Sequence, residues 1–136
     1  MKLWWKQGKI LLLPKNSRPF MNRIVQLFQR NPTHNLNVYF TAGYPTLEDT
    51  RRVLKALETA GADLVEIGMP YSDPVADGET IQQSNHQALE NGMSVRKLFE
   101  QLSGMRSEIT VPVLLMGYVN PVLQFGIENF CQKCAE

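Results

Sequence analysis

The sequence predicts an α/β fold in which parallel strands alternate with helices. Three short apolar segments are rich in β-branched and aromatic residues and are bounded by glycine or proline, which is typical of strands covered on both faces. The segments between them place apolar residues at helical spacing. These observations fit either a doubly wound sheet or a (β/α)8 barrel, because hydrophobic periodicity alone does not distinguish the two.

The first half of the chain is predicted to fold as helix, strand and helix, in that order. Residues 21–30 form an amphipathic helix, and residues 36–42 form the first strand. Thr46, followed three residues later by Asp49, is typical of a helix N-cap, so the next helix is expected to begin there. Gly61 ends that helix, because glycine readily adopts the backbone conformation that closes a helix.

The second half continues the alternation after a short central strand. Residues 81–91 are predicted to form a polar helix, and Ser94 is predicted to cap a further helix that runs to Met105. The third strand covers residues 111–117. Pro121 is expected to open the last helix, since proline is favoured in a first helical turn.

Glu66 lies inside the central strand, 64–67, where an acid is out of place. Side chains alternate along a strand, so Leu64 and Glu66 share one face, and the carboxyl group must point into an interior or a cavity. Removing a carboxylate from water favours its neutral form. Such an acid can give and take a proton, which is typically worth about 10²–10⁴ in rate. A structural acid paired with a basic side chain explains the same pattern.

A loop ordered by proline, 69–78, follows this strand and carries Asp73 and Asp77. Asp77 lies just before a helical stretch, at the same end of the strand as Glu66. Two acids in different environments can hold different protonation states at one pH, which an acid–base pair needs. A turn or N-cap residue before Gly78 explains Asp77 as well.

Three strings of this sequence resemble the tryptophan synthase alpha chain family, in the same order and at the same spacing. They are Y-F-T-A-G-Y-P at 39–45, G-A-D-L-V-E-I-G-M-P-Y-S-D-P-V-A-D-G-E-T-I-Q at 61–82 and P-V-L-L-M-G-Y-V-N-P at 112–121. The resemblance implies a (β/α)8 TIM barrel with its active site at the C-terminal ends of the strands. It also implies that Glu66 and Asp77 are the two catalytic carboxylates. The family usually has proline where this chain has Glu79.

The activity that this resemblance implies is a lyase reaction of tryptophan biosynthesis. Indole-3-glycerol phosphate is cleaved to indole and glyceraldehyde 3-phosphate by a retro-aldol step without a cofactor or metal. Glu66 is implied to transfer the proton, and Asp77 to accept the indole N–H and stabilise the charge on the ring. The residues implied to shape the indole pocket are Tyr39, Thr41 and Tyr118. The loop residues implied to touch a tryptophan synthase beta chain, in a cytoplasmic alpha2beta2 heterotetramer, are Pro70 and Asp73.

The resemblance begins at Met21, and residues 1–20 are predicted to be an unrelated extension. The basic start resembles a signal peptide, but Lys6, Lys9 and Pro14 interrupt the apolar core, so we expect Met21 to be the natural first residue. A whole barrel needs about 250 residues. We therefore expect residues 21–136 to form the N-terminal half of a barrel that lacks the family's phosphate site and is inactive alone. Another phosphate-binding barrel enzyme and a non-catalytic remnant stay open as alternatives.

Composition argues against several other classes of protein. The chain has 136 residues and a formal net charge of +1, so no charge excess favours nucleic acid or an anionic membrane. Its longest apolar run, near 111–116, is far shorter than the roughly 20 residues that span a bilayer. Cys131 and Cys134 form a C-x-x-C, but His34 and His86 are isolated in the sequence. We expect two reduced thiols rather than a zinc site, and a solvated His86.

Overall fold

The computed structural model describes residues 3–6, 9–12 and 22–136. Its strands are β1 (Leu3–Lys6), β2 (Lys9–Leu12), β3 (Asn37–Thr41), β4 (Leu64–Gly68) and β5 (Val113–Met116). Its helices are α1 (Arg23–Arg30), α2 (Asp49–Thr59), α3 (Glu79–Glu90), α4 (Val95–Leu102), α5 (Val119–Phe125) and α6 (Ile127–Ala135). A 3-10 turn covers Met105–Ser107.

Strands β3, β4 and β5 form a parallel sheet in that order, which confirms the predicted α/β class. In its register Tyr39 lies opposite Glu66, and Glu66 lies opposite Leu114. Side chains on one face of the sheet belong to the hydrophobic core or pack against it: Val38, Phe40, Val65, Ile67, Val113 and Leu115. The opposite face carries Tyr39 and Glu66, because side chains alternate along each strand.

The core lies between the apolar face of the sheet and the helices that connect its strands. Leu54 of α2 and Leu98 of α4 are fully buried there together with Val65 and Ile67 of β4. Burial of each such side chain stabilises the folded state by about 1.5–3 kcal/mol relative to leaving that side chain exposed. This packing holds β4 in the middle of the sheet, so the position of Glu66 is set by its buried neighbours.

Three predicted helix ends are present, and one of them has a different hydrogen-bond pattern from the expected one. Ser94 caps α4, since its hydroxyl accepts from the backbone N–H of Lys97 at 3.2 Å. The backbone N–H and the hydroxyl of Thr46 both donate to the Asp49 carboxylate, at 3.2 and 2.8 Å. Helix α2 begins at Asp49. The Thr46 side chain donates to the Asp49 carboxylate instead of capping the helix, and the backbone N–H of Asp49 donates to the Thr46 backbone carbonyl at 3.1 Å. Gly61 follows α2 at φ +95°, as expected of a helix stop.

Several predicted boundaries are wrong, each for a local reason. The helix predicted to reach Met105 ends at Leu102, because Gly104 adopts a left-handed conformation at φ 69°. Pro121 lies in the third position of α5 rather than opening the helix. Proline is tolerated there because the N–H groups of the first helical turn have no partner within the helix, so its missing N–H breaks no hydrogen bond. Gly126, at φ 94°, divides the predicted last helix into α5 and α6.

The predicted extension is described only in part. Strands β1 and β2 pair in antiparallel fashion, with Leu3 opposite Leu12 and Lys6 opposite Lys9. Met21 and the rest of residues 1–20 lie outside the described residues, so the boundary at residue 21 stays a prediction. Among the helices that the structure describes, none has the length and apolar character to cross a membrane.

Candidate active site

The C-terminal edge of the parallel sheet brings the predicted site residues into one region. Tyr39 and Thr41 alternate with apolar residues along β3, so both face the same side of the sheet. Glu66 and Gly68 lie opposite them on β4. The loop that follows β4 carries Asp77. Ligands of parallel α/β sheets bind at this edge, because loops leave the strands there.

Glu66 is half-buried, whereas its neighbours Val65 and Ile67 are fully buried. Its carboxylate accepts a hydrogen bond from the side-chain amide of Asn37, at 2.7 Å. Within the described residues no lysine or arginine forms an ion pair with Glu66. The explanation as a structural ion pair therefore lacks a basic partner in the part of the chain that the structure describes.

Asp77 is half-buried at the end of the loop, and its backbone carbonyl accepts from the side-chain amide of Gln82 at 2.7 Å. Gly78, not Asp77, is the N-cap of α3, and no side chain caps that helix end. The N-cap explanation for Asp77 is therefore wrong. Glu79 lies in the first turn of α3, where its negative charge favours the positive end of the helix dipole.

The Tyr39 phenol lies within the electrostatic influence of both acids. Its ring lies over β4 at Gly68, where an added Cβ would overlap the hydroxyl and come within 2.6 Å of Cζ. Burial raises the pKa of the Tyr39 phenol, the hydrogen bond with Thr41 lowers it, and the carboxylates of Asp77 and Glu66 raise it further. Both carboxylates therefore act on the same phenol, which remains neutral at physiological pH.

Tyr118 follows β5 and anchors the loop that carries Asp77. Its hydroxyl oxygen accepts from the backbone N–H of Ala76 at 2.8 Å. Its ring also packs on that of Tyr71, with the centroids 5.0 Å apart. The structure thus brings Tyr118 to the residue next to Asp77. Sequence reasoning named Tyr118 only through the family resemblance and missed both of its partners.

The two loop residues implied in a partner contact differ in their exposure. Pro70 is half-buried, whereas Asp73 is exposed and accepts a hydrogen bond from the hydroxyl of Ser72. Val75 is 91% exposed, so the tip of the loop offers an apolar side chain to solvent.

Three further residues support the site and were missed by sequence reasoning. Asn37 binds Glu66, Gly68 makes room for Tyr39, and Ser84 of α3 lies 2.7 Å from the hydroxyl of Thr41. The alternation of polar residues along β3, at positions 37, 39 and 41, is a signal that could have identified Asn37. No local pattern indicates Ser84, because its contact comes from a helix more than 40 residues further along the chain.

A cleft of about 440 Å³ lies between the loop and α3, and neither Glu66 nor Asp77 lines it. Its walls include Tyr71, Pro74 and His86. His86 is solvent-exposed and lies 3.3 Å from Glu90, as predicted for a solvated histidine. The predicted acids thus lie outside this cleft.

The described cysteines and acids do not form a metal site. Cys131 and Cys134 are unpaired and exposed. Although Cys134 is exposed as a residue, its thiol is partly buried; this partial burial, and then the neighbouring Cys131, raise the pKa of the thiol and keep it protonated. In the described ranges no group of three or more histidine, cysteine, aspartate or glutamate residues is arranged to hold a metal ion.

Comparisons with known proteins agree on one family. The family model described as "Tryptophan synthase alpha chain" matches residues 25–136. A curated tryptophan synthase alpha chain from Bacteroides fragilis is 57% identical over 116 residues, which cover 85% of this chain and 44% of that protein. The chain therefore spans about half the length of the curated relatives it matches.

Solved structures give the same result. The tryptophan synthase subunit alpha from Legionella pneumophila superposes with a TM-score of 0.78 at 34% identity, over 85% of this chain and 45% of that one. A chain of the tryptophan synthase complex from Pyrococcus furiosus gives 0.68 at 40% identity, over 74% and 42%. The parallel sheet of the present chain is thus the incomplete TIM barrel that the sequence predicts.

Proposed function

The chain belongs to the tryptophan synthase alpha chain family, and from this premise we propose that it supplies the acid–base machinery for cleavage of indole-3-glycerol phosphate. The products are indole and glyceraldehyde 3-phosphate. One observation supports the proposal above all others: Tyr39 of β3 lies opposite Glu66 of β4, and the carboxylates of both Glu66 and Asp77, which come from different elements, raise the pKa of the Tyr39 phenol. Two acids at that edge, in different surroundings, can divide the roles of proton transfer and charge stabilisation.

The reaction needs one proton at carbon C3 of the indole ring and the removal of one proton from the side-chain hydroxyl. Glu66 donates to C3, and the ring becomes positively charged. As the bond between C3 and the side chain breaks, its electrons return to the ring, and the hydroxyl loses its proton to the Glu66 carboxylate. Indole and an aldehyde result, and Glu66 has regained its proton. General acid–base catalysis of this kind contributes about 10²–10⁴ in rate.

Asp77 stabilises the intermediate ring. Its carboxylate accepts the indole N–H, which becomes more acidic when the ring is positively charged, so the interaction strengthens as the charge develops. Tyr39, Thr41 and Tyr118 shape the indole pocket. Tyr118 also supports Asp77 through its bond to Ala76. No cofactor takes part in this proposal.

The loop after β4 is the surface proposed for a tryptophan synthase beta chain, in an alpha2beta2 assembly within the cytoplasm. Asp73 and Val75 are exposed there, and Pro70 supports the loop from its base. The similar structure from Pyrococcus furiosus is that of a tryptophan synthase complex. Because Asp77 belongs to the same loop, a partner bound at its tip can alter the position of a catalytic carboxylate.

We propose that residues 21–136 are the N-terminal half of the barrel and that residues 1–20 are an extension. The chain covers 44% of the Bacteroides fragilis relative, so activity is expected only when the remaining segment is supplied. Indole release should be measured for the chain alone and after addition of the segment of that relative which the chain does not cover. Indole release by the chain alone would contradict the proposal that the chain needs the remaining segment for activity.

The catalytic roles are tested in that complemented assembly. Glu66→Gln should abolish nearly all indole release while substrate binding persists, since the amide keeps the shape and loses the titrating proton. Asp77→Asn should lower kcat more than it weakens folding. Glu79→Gln is the matched control, because Glu79 is an exposed acid on the adjacent helix turn. If Glu66→Gln retains activity within about tenfold of the parent, the loss is too small for general acid–base catalysis and the role lies elsewhere.

A further inference from the structure

Three hydroxyl groups form a continuous chain from the site into helix α3. The Tyr39 hydroxyl lies 3.3 Å from Thr41 Oγ1, which lies 2.7 Å from Ser84 Oγ. Ser84 Oγ in turn lies 2.9 Å from the backbone carbonyl oxygen of Ile81. Thr41 is buried, and Tyr39 and Ser84 are half-buried. Each of these side chains carries a single donor hydrogen, so the directions of the bonds can be worked out.

The backbone carbonyl of Ile81, at the helix end of the chain, determines the donor and the acceptor of each hydrogen bond. A carbonyl oxygen only accepts, so Ser84 donates its hydrogen to Ile81. Ser84 can then only accept from Thr41, which uses the single hydrogen of Thr41. Thr41 can then only accept from Tyr39, which uses the phenolic hydrogen. All three bonds are made together only when the hydroxyls point from the site toward the helix.

This arrangement leaves the phenolic oxygen of Tyr39 with lone pairs and no hydrogen to donate toward the site. The ring is seated over Gly68, at the end of β4. The neutral state of the phenol is favoured, because burial and the charges of Asp77 and Glu66 raise the Tyr39 pKa by more than a hydrogen bond from Thr41 to the ionised phenolate lowers it. The oxygen is therefore a neutral hydrogen-bond acceptor within the electrostatic influence of both carboxylates.

We propose that Ser84 is a positioning residue which acts through Thr41 to hold the Tyr39 oxygen as an acceptor toward the ligand. The ligand group at this point must then be an N–H or O–H donor, whereas a phosphate or carboxylate oxygen meets an acceptor and is rejected. The identity of the donor, as an indole N–H or a side-chain hydroxyl, rests on the proposed function. The direction of the hydrogen bonds along the hydroxyl chain is independent of the proposed function.

The direction is tested in the 136-residue chain labelled with [¹³Cζ]tyrosine, with Tyr39→Phe used to assign the signal. In Ser84→Ala the Thr41 hydroxyl is released and can donate to the Tyr39 phenolate, so the pKa of Tyr39 should shift downward. Thr41→Val removes that donor and should shift the pKa of Tyr39 upward. Ser84→Thr keeps the hydroxyl, so its Tyr39 pKa should equal that of the parent. An unchanged or raised Tyr39 pKa in Ser84→Ala, with circular dichroism like the parent's, would overturn the assigned direction.

The consequence for the ligand is tested by indole release in the complemented assembly. Ser84→Ala should lower kcat/KM roughly 2–10-fold, as expected for one partly lost neutral hydrogen bond. Ser84→Thr should restore it, and Ser84→Ala should have no further effect in the Tyr39→Phe background. An equal loss in both backgrounds would show that Ser84 acts through packing and would overturn the positioning role. A parent assembly that releases no indole contradicts the proposed function, while the tyrosine titration still decides the hydroxyl chain.

Discussion

Glu58 is the residue whose replacement should reveal most about how the sheet is held together. It lies near the end of α2, and one of its carboxylate oxygens accepts three hydrogen bonds from the segment that leads into β5. The donors are the backbone N–H of Thr110 at 2.8 Å, the hydroxyl of Thr110 at 2.7 Å and the backbone N–H of Val111 at 3.1 Å. Because β5 pairs with β4, this contact helps to set the strand beside Glu66.

The expected loss of stability follows from the strength of those bonds. Hydrogen bonds to a charged group contribute about 1.5–3 kcal/mol, and neutral ones about 0.5–1.5 kcal/mol. Glu58 is half-buried, so after a substitution water can take the place of some of the hydrogen bonds that its carboxylate accepted. We expect Glu58→Gln, which keeps an acceptor without the charge, to lower the free energy of unfolding by about 1 kcal/mol. Glu58→Ala should lower it by about 2 kcal/mol, since two backbone N–H groups lose their partner.

The pH dependence provides an independent check. Burial opposes ionisation of Glu58, but the bonds from Thr110 and Val111 and the positive charge of Arg106 outweigh it, and the pKa of Glu58 falls below its ordinary 4.5. A group whose pKa is lowered by folding stabilises the protein above the unfolded-state value and loses that contribution as pH falls through the folded-state value. The difference between parent and Glu58→Gln should therefore be complete at neutral pH and shrink below about 4.5.

Urea unfolding followed by far-UV circular dichroism, at neutral pH and at several acidic values, measures both quantities. Glu100→Gln is the control, because Glu100 is exposed and lies 3.7 Å from Lys97, a geometry that rarely adds measurable stability. If Glu58→Gln has the same free energy of unfolding as the parent at neutral pH, the three hydrogen bonds do not stabilise the segment that leads into β5. If its deficit stays constant down to the acid limit of folding, the charge of Glu58 is not responsible.

The remaining predictions concern the site. Gly68→Ala should destabilise the chain by about 1–3 kcal/mol, because its Cβ would overlap the Tyr39 ring, and urea unfolding would show this; a neutral effect would mean that the ring can move away. Tyr118→Phe should speed amide hydrogen exchange at Ala76 and lower kcat for indole release more than it raises KM, since the loop loses its anchor; unchanged exchange would show that the Tyr71 contact is sufficient.

Much of the fold could be predicted because its signals are local. Apolar segments of strand length, the hydroxyl of Ser94 before α4 and Gly61 after α2 each act on the neighbouring backbone, so sequence spacing is enough to read them. The same holds for the proline-containing loop between β4 and α3. The errors are local as well: the helix end before Gly104 and the break at Gly126 depend on left-handed glycines, and neither position differs in sequence from a tolerated helical glycine.

The amino-acid sequence is enough to predict the order of strands and helices, an acid within β4, a second acid in the following loop, and the strings that resemble one family. Three contacts became visible only in the folded chain: Tyr39 lies opposite Glu66, Asn37 binds the Glu66 carboxylate, and Ser84 reaches Thr41. The physical reason is that these contacts depend on strand register and on how a helix packs across the sheet. Both are set by the buried core, whose members are distant in sequence, and no short-range pattern encodes them.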